Sequence, residues 1–416
     1  MAKKVEIEEK EIDAPYELPE GWKWVRLGVV ADCLDGFRKP INATERATRE
    51  GNIPYYGATG QVGWIDDYLT DEELVLLGED GAPFLDLMKD KAYIISGKAW
   101  VNNHAHILRS KYGEIGNKYL LNYLNSFNYT GYVNGTTRLK LTQGEMLRIP
   151  VPLPPNIEEQ QRIVNRIESM FAKLDEAKEK AQNVVDSFET RKAAILHLAF
   201  TGNLTAKWRK ENGVSDDSWE EKSIGNCGSV FGGGTPSTSH KEYWENGNIP
   251  WITSKDMKSD LIEDSELHVN MNGIDNSSAK YIDKPAVLFV MRSGILRRTF
   301  PVCMVKKEFT VNQDLKALVP NDSVILEYLF YACKSNERKI LDTCMKSGTT
   351  VESINSDSLF NFLIKIPSLT EQQEIVRILD TVLEKERTAK FAAEQVLEQI
   401  DLLKKSILAR AFRGEL

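Results

Sequence analysis

The side chains best suited to chemistry in this sequence are cations and carboxamides gathered in two stretches. Residues 86–148 hold nine Lys and Arg against four Asp and Glu, and residues 285–316 hold six against two, in a 416-residue chain whose formal net charge is −8. An acidic sum argues weakly against a polyanionic ligand, but the local distribution governs the field at a surface more than the sum does. Candidate contacts in the first half are Tyr56, Thr59, Lys98, Asn103, His104, Arg138 and Lys140. In the second half they are Ser254, Lys255, Arg292, Arg297, Arg298, Gln313, Thr349 and Thr350. The planar fork of Arg can bond guanine O6 and N7 together, and Asn or Gln can bond adenine N6 and N7. Lys, and the hydroxyls and amides of the Gly-Thr-Thr segments 135–137 and 348–350, suit phosphate oxygens instead. Two basic regions in an acidic chain are thus compatible with DNA binding.

Bond-making chemistry has less support. Asn52-Ile53-Pro54-Tyr55 and Asn248-Ile249-Pro250-Trp251 are similar to the Asn-Pro-Pro-aromatic tetrapeptide of adenine methyltransferases. Ile stands at the second position, however, and a catalytic motif does not need two copies; a turn leading into a strand is the better reading. Phe231-Gly232-Gly233-Gly234 runs into Thr235-Pro236-Ser237, not into a helix, which argues against a methyl-donor loop. Gly57-Ala58-Thr59-Gly60 lacks the Gly-Lys-[Ser/Thr] of a phosphate cradle and reads as a tight loop at the DNA face. His104 and His106 alternate as on a strand with one solvent face. Cys33, Cys227, Cys303, Cys333 and Cys344 are scattered without metal-ligand spacing. No catalytic residue and no metal ligand is assigned.

Two long helices organise the rest of the chain. From Glu158 to Leu204 apolar or small residues recur at Ile163, Ile167, Met170, Leu174, Ala177, Ala181, Val184 and Phe188, then at Ile195 and Leu198. Steps alternating four and three are the seam of a coiled coil. Pro154-Pro155-Asn156 stands before this segment and Gly202 supplies the stop. The segment returns at the other end of the chain. Glu371-Gln372-Gln373 repeats Glu159-Gln160-Gln161, and Ala411-Phe412-Arg413-Gly414 repeats Ala199-Phe200-Thr201-Gly202, at one offset of 212 (371 − 159, 411 − 199). The second seam reads Ile375, Leu379, Val382, Ala389, Ala393, Val396, Ile400, Leu403 and Ile407; it departs at Glu386 and Arg410, which should fray or face a partner. A lone helix cannot bury such a stripe, so the two copies are expected to pair.

The remainder is duplicated too. Trp22 before Leu27-Gly28 matches Trp219 before Ile224-Gly225, and Gly51-Asn52-Ile53-Pro54 matches Gly247-Asn248-Ile249-Pro250. Val101-Asn102-Asn103 matches Val311-Asn312-Gln313, and Gly135-Thr136-Thr137 matches Gly348-Thr349-Thr350. Motifs in the same order in both halves mark a tandem duplication. Between the second and third matches the offset grows by 14 (210 − 196), so the second copy carries extra residues there. Each unit reads as mixed α/β. Leu74–Leu77, Tyr93–Ile95, Val287–Val290 and Val302–Val305 are expected strands, and 119–127 and 326–333 short helices. Pro150–Pro155 and Pro367-Ser368 are expected to be stiff connectors. No apolar run approaches a membrane span, the N-terminus lacks the apolar core of a signal peptide, and the cysteines read as reduced thiols; a cytoplasmic location is expected.

The duplicated Glu-Gln-Gln-x-Ile-Val helix starts, Ala-Phe-x-Gly-x-Leu helix ends, Trp-x4-[Leu/Ile]-Gly openings and paired Gly-Thr-Thr segments together resemble the specificity subunit of a type I DNA restriction–modification system. The resemblance covers essentially the whole chain. It implies two α/β (α+β) target-recognition domains, 1–155 and 207–368, separated by long antiparallel coiled-coil helices, 156–206 and 369–416, in a pseudo-two-fold repeat. It also implies a non-catalytic subunit that binds a split DNA sequence, one half-site per domain, without a cofactor of its own. Two modification subunits would methylate adenine N6 from S-adenosylmethionine, and restriction subunits would add translocation and cleavage with ATP and Mg. The alternatives from other classes are a self-sufficient DNA methyltransferase or endonuclease, and a coiled-coil scaffold unrelated to DNA.

Overall fold

The computed structural model describes residues 12, 14–346 and 351–416. Thr349 and Thr350, with Gly348, lie outside the described residues. The chain divides into two compact units, Met1–Asn183 with Ala392–Leu416, and Val184–Phe391.

In the first unit an antiparallel sheet runs in the order Ala31–Cys33, Ala105–Ser110, Leu74–Gly78, Ala92–Ile95. Leu74–Gly78 is buried throughout, so its apolar run shows no alternation. A second sheet joins Gly60–Ile65, Ile53–Gly57, Lys98–Val101 and Thr70–Asp71, with Ile53–Gly57 parallel to Lys98–Val101. The helix Gly113–Ser126 buries Tyr119, Leu120, Tyr123 and Leu124. Pro150–Leu153 is not the connector that its prolines suggest. It is a buried strand paired antiparallel with Lys23–Arg26. Alternate N–H groups of a two-stranded ladder point away from the partner, so Pro150 and Pro152 fit there.

The second unit repeats these pairings. Gly228–Gly232, Leu315–Pro320, Ala286–Val290 and Val302–Val305 follow one another antiparallel, with Leu261–Ile262 added in parallel at the edge. Ile249–Ile252 runs parallel to Thr310–Val311, and Glu220–Ser223 pairs with Leu363–Ile366. Even register recurs: Tyr55 faces Trp100 and Tyr56 faces Val101 in one unit, Trp251 faces Thr310 and Ile252 faces Val311 in the other.

The long helices are Ile157–Asp186, Phe188–Phe200 and Leu369–Phe412. The expected single helix from Glu158 is therefore interrupted at Ser187. Asn156 starts it by accepting the Glu159 N–H at 2.9 Å. Gly202 and Gly414, at φ +83° and +73°, end the two copies in the left-handed region that a Cβ disfavours. In the first unit Ile163, Val164 and Ile167 share a core with Ile407, Leu408, Ala411 and Phe412. Phe412 meets Tyr119 and Tyr123 edge to face at 5.2 and 5.1 Å. In the second unit Ile375, Leu379 and Leu383 share a core with Leu196 and Ala199. Each core therefore takes the start of one long segment and the end of the other.

Farther along, Lys404 meets Asp175 at 2.6 Å and Lys178 meets Asp401 at 3.5 Å in the first unit. Arg191 meets Glu386 at 2.6 Å and Lys390 lies over the Phe188 ring in the second. Met170, Leu174, Val184 and Ile195 are half-buried and Phe188 is buried, whereas Leu198 is exposed. On Leu369–Phe412 the expected seam needs correction. Val396 and Leu403 are 40% and 48% exposed, Ala389 is exposed, and Val382 is covered less than Leu383. Two successive four-residue steps, Ile375 to Leu379 to Leu383, move every second position one residue onward, which a 3.6-residue helix accommodates. The covered track then passes Glu386, Lys390, Ala393, Leu397, Ile400, Lys404, Ile407 and Ala411. Lys390 and Lys404 lay their stems along it, with ammonium groups 4.9 and 5.0 Å from the Phe188 and Phe171 rings. Glu386 thus faces Arg191, and Arg410 lies off the track beside buried Ala411.

Candidate nucleic-acid interface

In the first unit several loops end at one rim. Leaving the strand Leu74–Gly78, Glu79 donates its N–H to the His104 carbonyl (2.8 Å) and accepts that of Leu141 (2.7 Å), and Gly81 donates to Leu139 (3.1 Å). Asn102 donates to the Tyr56 carbonyl at 3.1 Å. Its buried side chain accepts the His104 N–H at 2.8 Å, which makes a tight turn and leaves Asn103 exposed at the tip. The Ala58 carbonyl lies so close to Gly78 that a Cβ there would come within 3.1 Å of it, placing exposed Thr59 beside this rim.

Acids hold the cations of the rim. Asp80 accepts Arg138 Nη2 at 2.7 Å and lies 2.7 Å from His104 Nδ1, while Lys140 pairs with Glu79 at 3.0 Å. Arg138 and Lys140 remain 61% and 51% exposed, available to an incoming anion. Thr59, Asn103, His104, Arg138 and Lys140 are thus brought together. Lys98 is not: it lies opposite Asp71 with its ammonium over the Tyr68 ring. Half-buried Tyr56 packs on Tyr93, whose hydroxyl donates to the Gly57 carbonyl at 2.5 Å.

Beneath the rim sits a buried charge network. His106, expected on a half-exposed strand, is wholly enclosed, with Nδ1 2.6 Å from Asp35 and Nε2 2.9 Å from the Leu141 carbonyl. Arg38 pairs with both Asp35 (3.0 Å) and Glu79. Among the described residues Asp35, Glu79 and His106 form the one group whose ligand atoms come close enough for a metal ion, all within 4.8 Å. Both ring nitrogens already face acceptors and the Arg38 guanidinium bridges the two carboxylates, so the side chains of the group are engaged with one another as a brace. Burial pushes the Asp35 carboxyl up, but the His106 hydrogen bond and charge outweigh it and hold it below the usual range. Glu79 is likewise pushed up by burial and brought lower overall by Arg38 and Lys140.

The second unit builds the same rim from the same backbone bonds. Met291 donates to the Asp314 carbonyl (2.8 Å) and accepts Ile354 (2.8 Å), and Asn312 donates to Ile252 (3.0 Å). The Asn312 side chain accepts the Asp314 N–H at 3.2 Å and leaves Gln313 exposed, as Asn103 is. Ser254 and exposed Lys255 follow their strand as Ala58 and Thr59 follow theirs. Arg292 bridges Ser353 where Asp80 bridges Lys140. Arg297 pairs with Glu352, and Arg298 is exposed on the same turn. The side chains, however, are exchanged: Arg292 stands for Asp80, Asp314 for His104, Met291 for Glu79 and Ser353 for Lys140. Cations, carboxamides and hydroxyls near the anchors do not include Glu79, Asp80, Asp314 and Glu352, nor Thr235, whose hydroxyl donates to Gln313 Oε1 at 2.6 Å. The repeat held the signal for Asp314 and Glu352, which closely follow the anchors 311–313 and 348–350, but not for Glu79 and Asp80, which stand far from any anchor in the sequence.

The family model described as the type I restriction modification DNA specificity domain matches residues 19–186 and 216–399. The chain is 34% identical over 240 residues to the EcoR124I/EcoR124II type I restriction enzyme specificity subunit of Escherichia coli, an alignment covering 56% of this chain and 55% of that relative's length. It is 27% identical over 369 residues, 86% of either chain, to the putative type I restriction enzyme specificity subunit S.HindORF215P of Haemophilus influenzae. The crystal structure of the HsdS subunit from Thermoanaerobacter tengcongensis has a similar fold, with a TM-score of 0.66 at 20% identity over 98% of this chain and 100% of that one.

Proposed function

Because this chain belongs to the type I restriction modification DNA specificity family, we propose that it is the DNA-reading subunit of such a complex and that each of its units reads one half of a split target. The observation that carries this reading is the pair of rims: one backbone frame, with Asp80 and His104 in one copy exchanged for Arg292 and Asp314 in the other. A frame repeated with altered donors and acceptors is what recognition of two unlike half-sites requires. Rim cations such as Lys140 and Lys255 hold phosphates and set the register on the duplex.

The long helices act as the spacer. Their partners descend along one segment as they ascend along the other, 175 with 404 and 178 with 401, then 191 with 386, which supports an antiparallel coiled coil and a pseudo-two-fold repeat. Half-site separation is then a property of the rods. The chain recruits two modification subunits, which methylate adenine N6 from S-adenosylmethionine, and restriction subunits that use ATP and Mg; it binds none of these cofactors itself. It acts in the cytoplasm, and no helix among the described residues is long and apolar enough to cross a membrane.

The test is a domain exchange. Replacing residues 20–150 by those of another reader, in complex with modification subunits, changes one half of the methylated motif and leaves the other. A change in both halves contradicts the modular reading. Methyl transfer from labelled S-adenosylmethionine by the chain alone contradicts the division of labour.

A further inference from the structure

The glycine run Phe231-Gly232-Gly233-Gly234 has no role in methyl-donor chemistry, yet its geometry is demanding. A Cβ on Gly233 would lie 2.0 Å from the Val311 carbonyl oxygen, and one on Gly234 would lie 2.2 Å from Ser278 Oγ. Glycine at 233 lets the loop pass this close to the Val311–Gln313 turn, and glycine at 234 lets it pass Ser278. The approach is fastened by Gly234 N–H to the Val311 carbonyl (3.0 Å) and by Trp251 Nε1 to the Gly234 carbonyl (2.9 Å). Buried Pro236 follows. The consequence falls on the residue between, Thr235, whose hydroxyl donates to Gln313 Oε1 at 2.6 Å.

We propose that Gln313 reads an adenine in the half-site of the second unit, and that Thr235 is the positioning residue that sets the edge its carboxamide presents. The proposal rests on the reading of each unit as a half-site reader. A carboxamide is specific only when its oxygen and its amino group stand in a defined order. Adenine offers a donor at N6 and an acceptor at N7, matching both ends, whereas guanine offers two acceptors and can engage only the amino group. The Thr235 hydroxyl holds the Gln313 side chain in one rotamer before DNA arrives, and with Oε1 bonded to that hydroxyl the second lone pair of the oxygen remains for adenine N6 and Nε2 for N7. The turn beneath is fixed already by Asn312, so one rotamer-rich side chain is left to order, and Thr235 orders it. In the first unit the matching backbone bond is Lys39 N–H to Val101 O at 3.1 Å, and the next residue is Pro40, which has no hydroxyl to offer Asn103.

The experiment uses the full chain with its modification subunits and duplexes carrying the methylated motif mapped for the wild type. Each adenine is replaced in turn by guanine, with its pairing partner changed to match, and methyl-transfer rates are compared. Thr235→Val lowers discrimination at one adenine of one half-site, on the order of tenfold, and Thr235→Ser restores it. Gln313→Ala removes the preference at that same position, while the other half-site is read as before. Equal weakening of every duplex by Thr235→Val, an effect of the two substitutions at different positions, or selectivity at every adenine unchanged by Gln313→Ala would each overturn the proposal. A wild-type complex that methylates no split motif defeats the two-reader function instead. A split motif read with full selectivity by Thr235→Val defeats only this inference.

Discussion

Arg209 and Glu371 form an ion pair at 2.8 Å in which the Glu371 side chain is fully enclosed and 7% of the Arg209 side chain is exposed. Thr205 donates to the same carboxylate oxygen at 2.6 Å, and Arg209 also meets Asp216 at 3.0 Å. Glu371 belongs to the repeated Glu-Gln-Gln helix start. Its neighbour Gln372 accepts the Ile325 N–H at 2.9 Å and donates to the Ser323 and Pro367 carbonyls at 3.1 and 2.9 Å. The motif fastens residues 205–216 and the loop before the helix Leu326–Ser335 to the start of Leu369–Phe412.

Removing the cation leaves a carboxylate buried without a countercharge. Arg209→Ala is expected to destabilise the second unit by about 3–5 kcal/mol, whereas Arg209→Met combined with Glu371→Met costs far less. Denaturant unfolding followed by hydrogen exchange in each unit measures this. A loss under about 1 kcal/mol would mean that the pair contributes no more than one at the surface.

In the other unit two partly buried carboxylates respond to acid. Asp35 and Glu79 titrate below their unfolded values, so their contribution is fully present above the unfolded carboxylate range, about pH 4, and is lost as pH falls through their folded values. Replacing His106 by Leu removes the partner that holds Asp35 low. The acid unfolding midpoint of the first unit is expected to move to higher pH, with little change in the second. Circular dichroism or tryptophan emission against pH gives the midpoints; an unmoved midpoint refutes the brace.

Two cations of the first rim separate base from backbone contacts. Arg138→Ala is expected to relax selectivity at a single guanine by roughly 5- to 150-fold, the worth of one bidentate contact. Lys140→Ala weakens binding evenly over all sequences and lowers the slope of log K against log salt by about one. Titrations of target and altered duplexes at several salt concentrations distinguish the two, and identical profiles would contradict the assignment.

Shortening the spacer must respect its pairing. Because 175 meets 404 and 178 meets 401, matched removal of 179–182 and 397–400 keeps register and withdraws about 6 Å. The spacer of the methylated motif is expected to shrink by about two base pairs, or methylation to cease. A motif mapped with its original spacer would contradict the measuring role.

The duplication was legible because its anchors are short and local. Tyr55 and Trp251 hold the same ladder position, and so do Trp100 and Thr310, although only the order of motifs pointed there. What escaped notice depends on partners distant in the chain. Pro150–Leu153 looked like a linker because proline suggests one, and only its pairing with Lys23–Arg26 makes it a strand. Lys390 and Lys404 were passed over in the seam because a search for apolar residues ignores the stems of charged ones. Lys98 was drawn into the rim by its charge, while its backbone turned it toward Tyr68. Asp80 is not legible because an acid argues against an anion-binding rim, and only the fold rests Arg138 and His104 on it.

The core of the first unit closes on Ile407, Leu408, Ala411 and Phe412, which has a consequence at the ribosome. The 254 residues from Leu153 to Ile407 (407 − 153) take roughly 10–50 s to translate at about 5–20 residues per second. Throughout that interval the nascent first globule lacks the side chain that fits against Tyr119 and Tyr123. Val184–Phe391 is contiguous and has no such wait. The half synthesised earlier is therefore the half completed last.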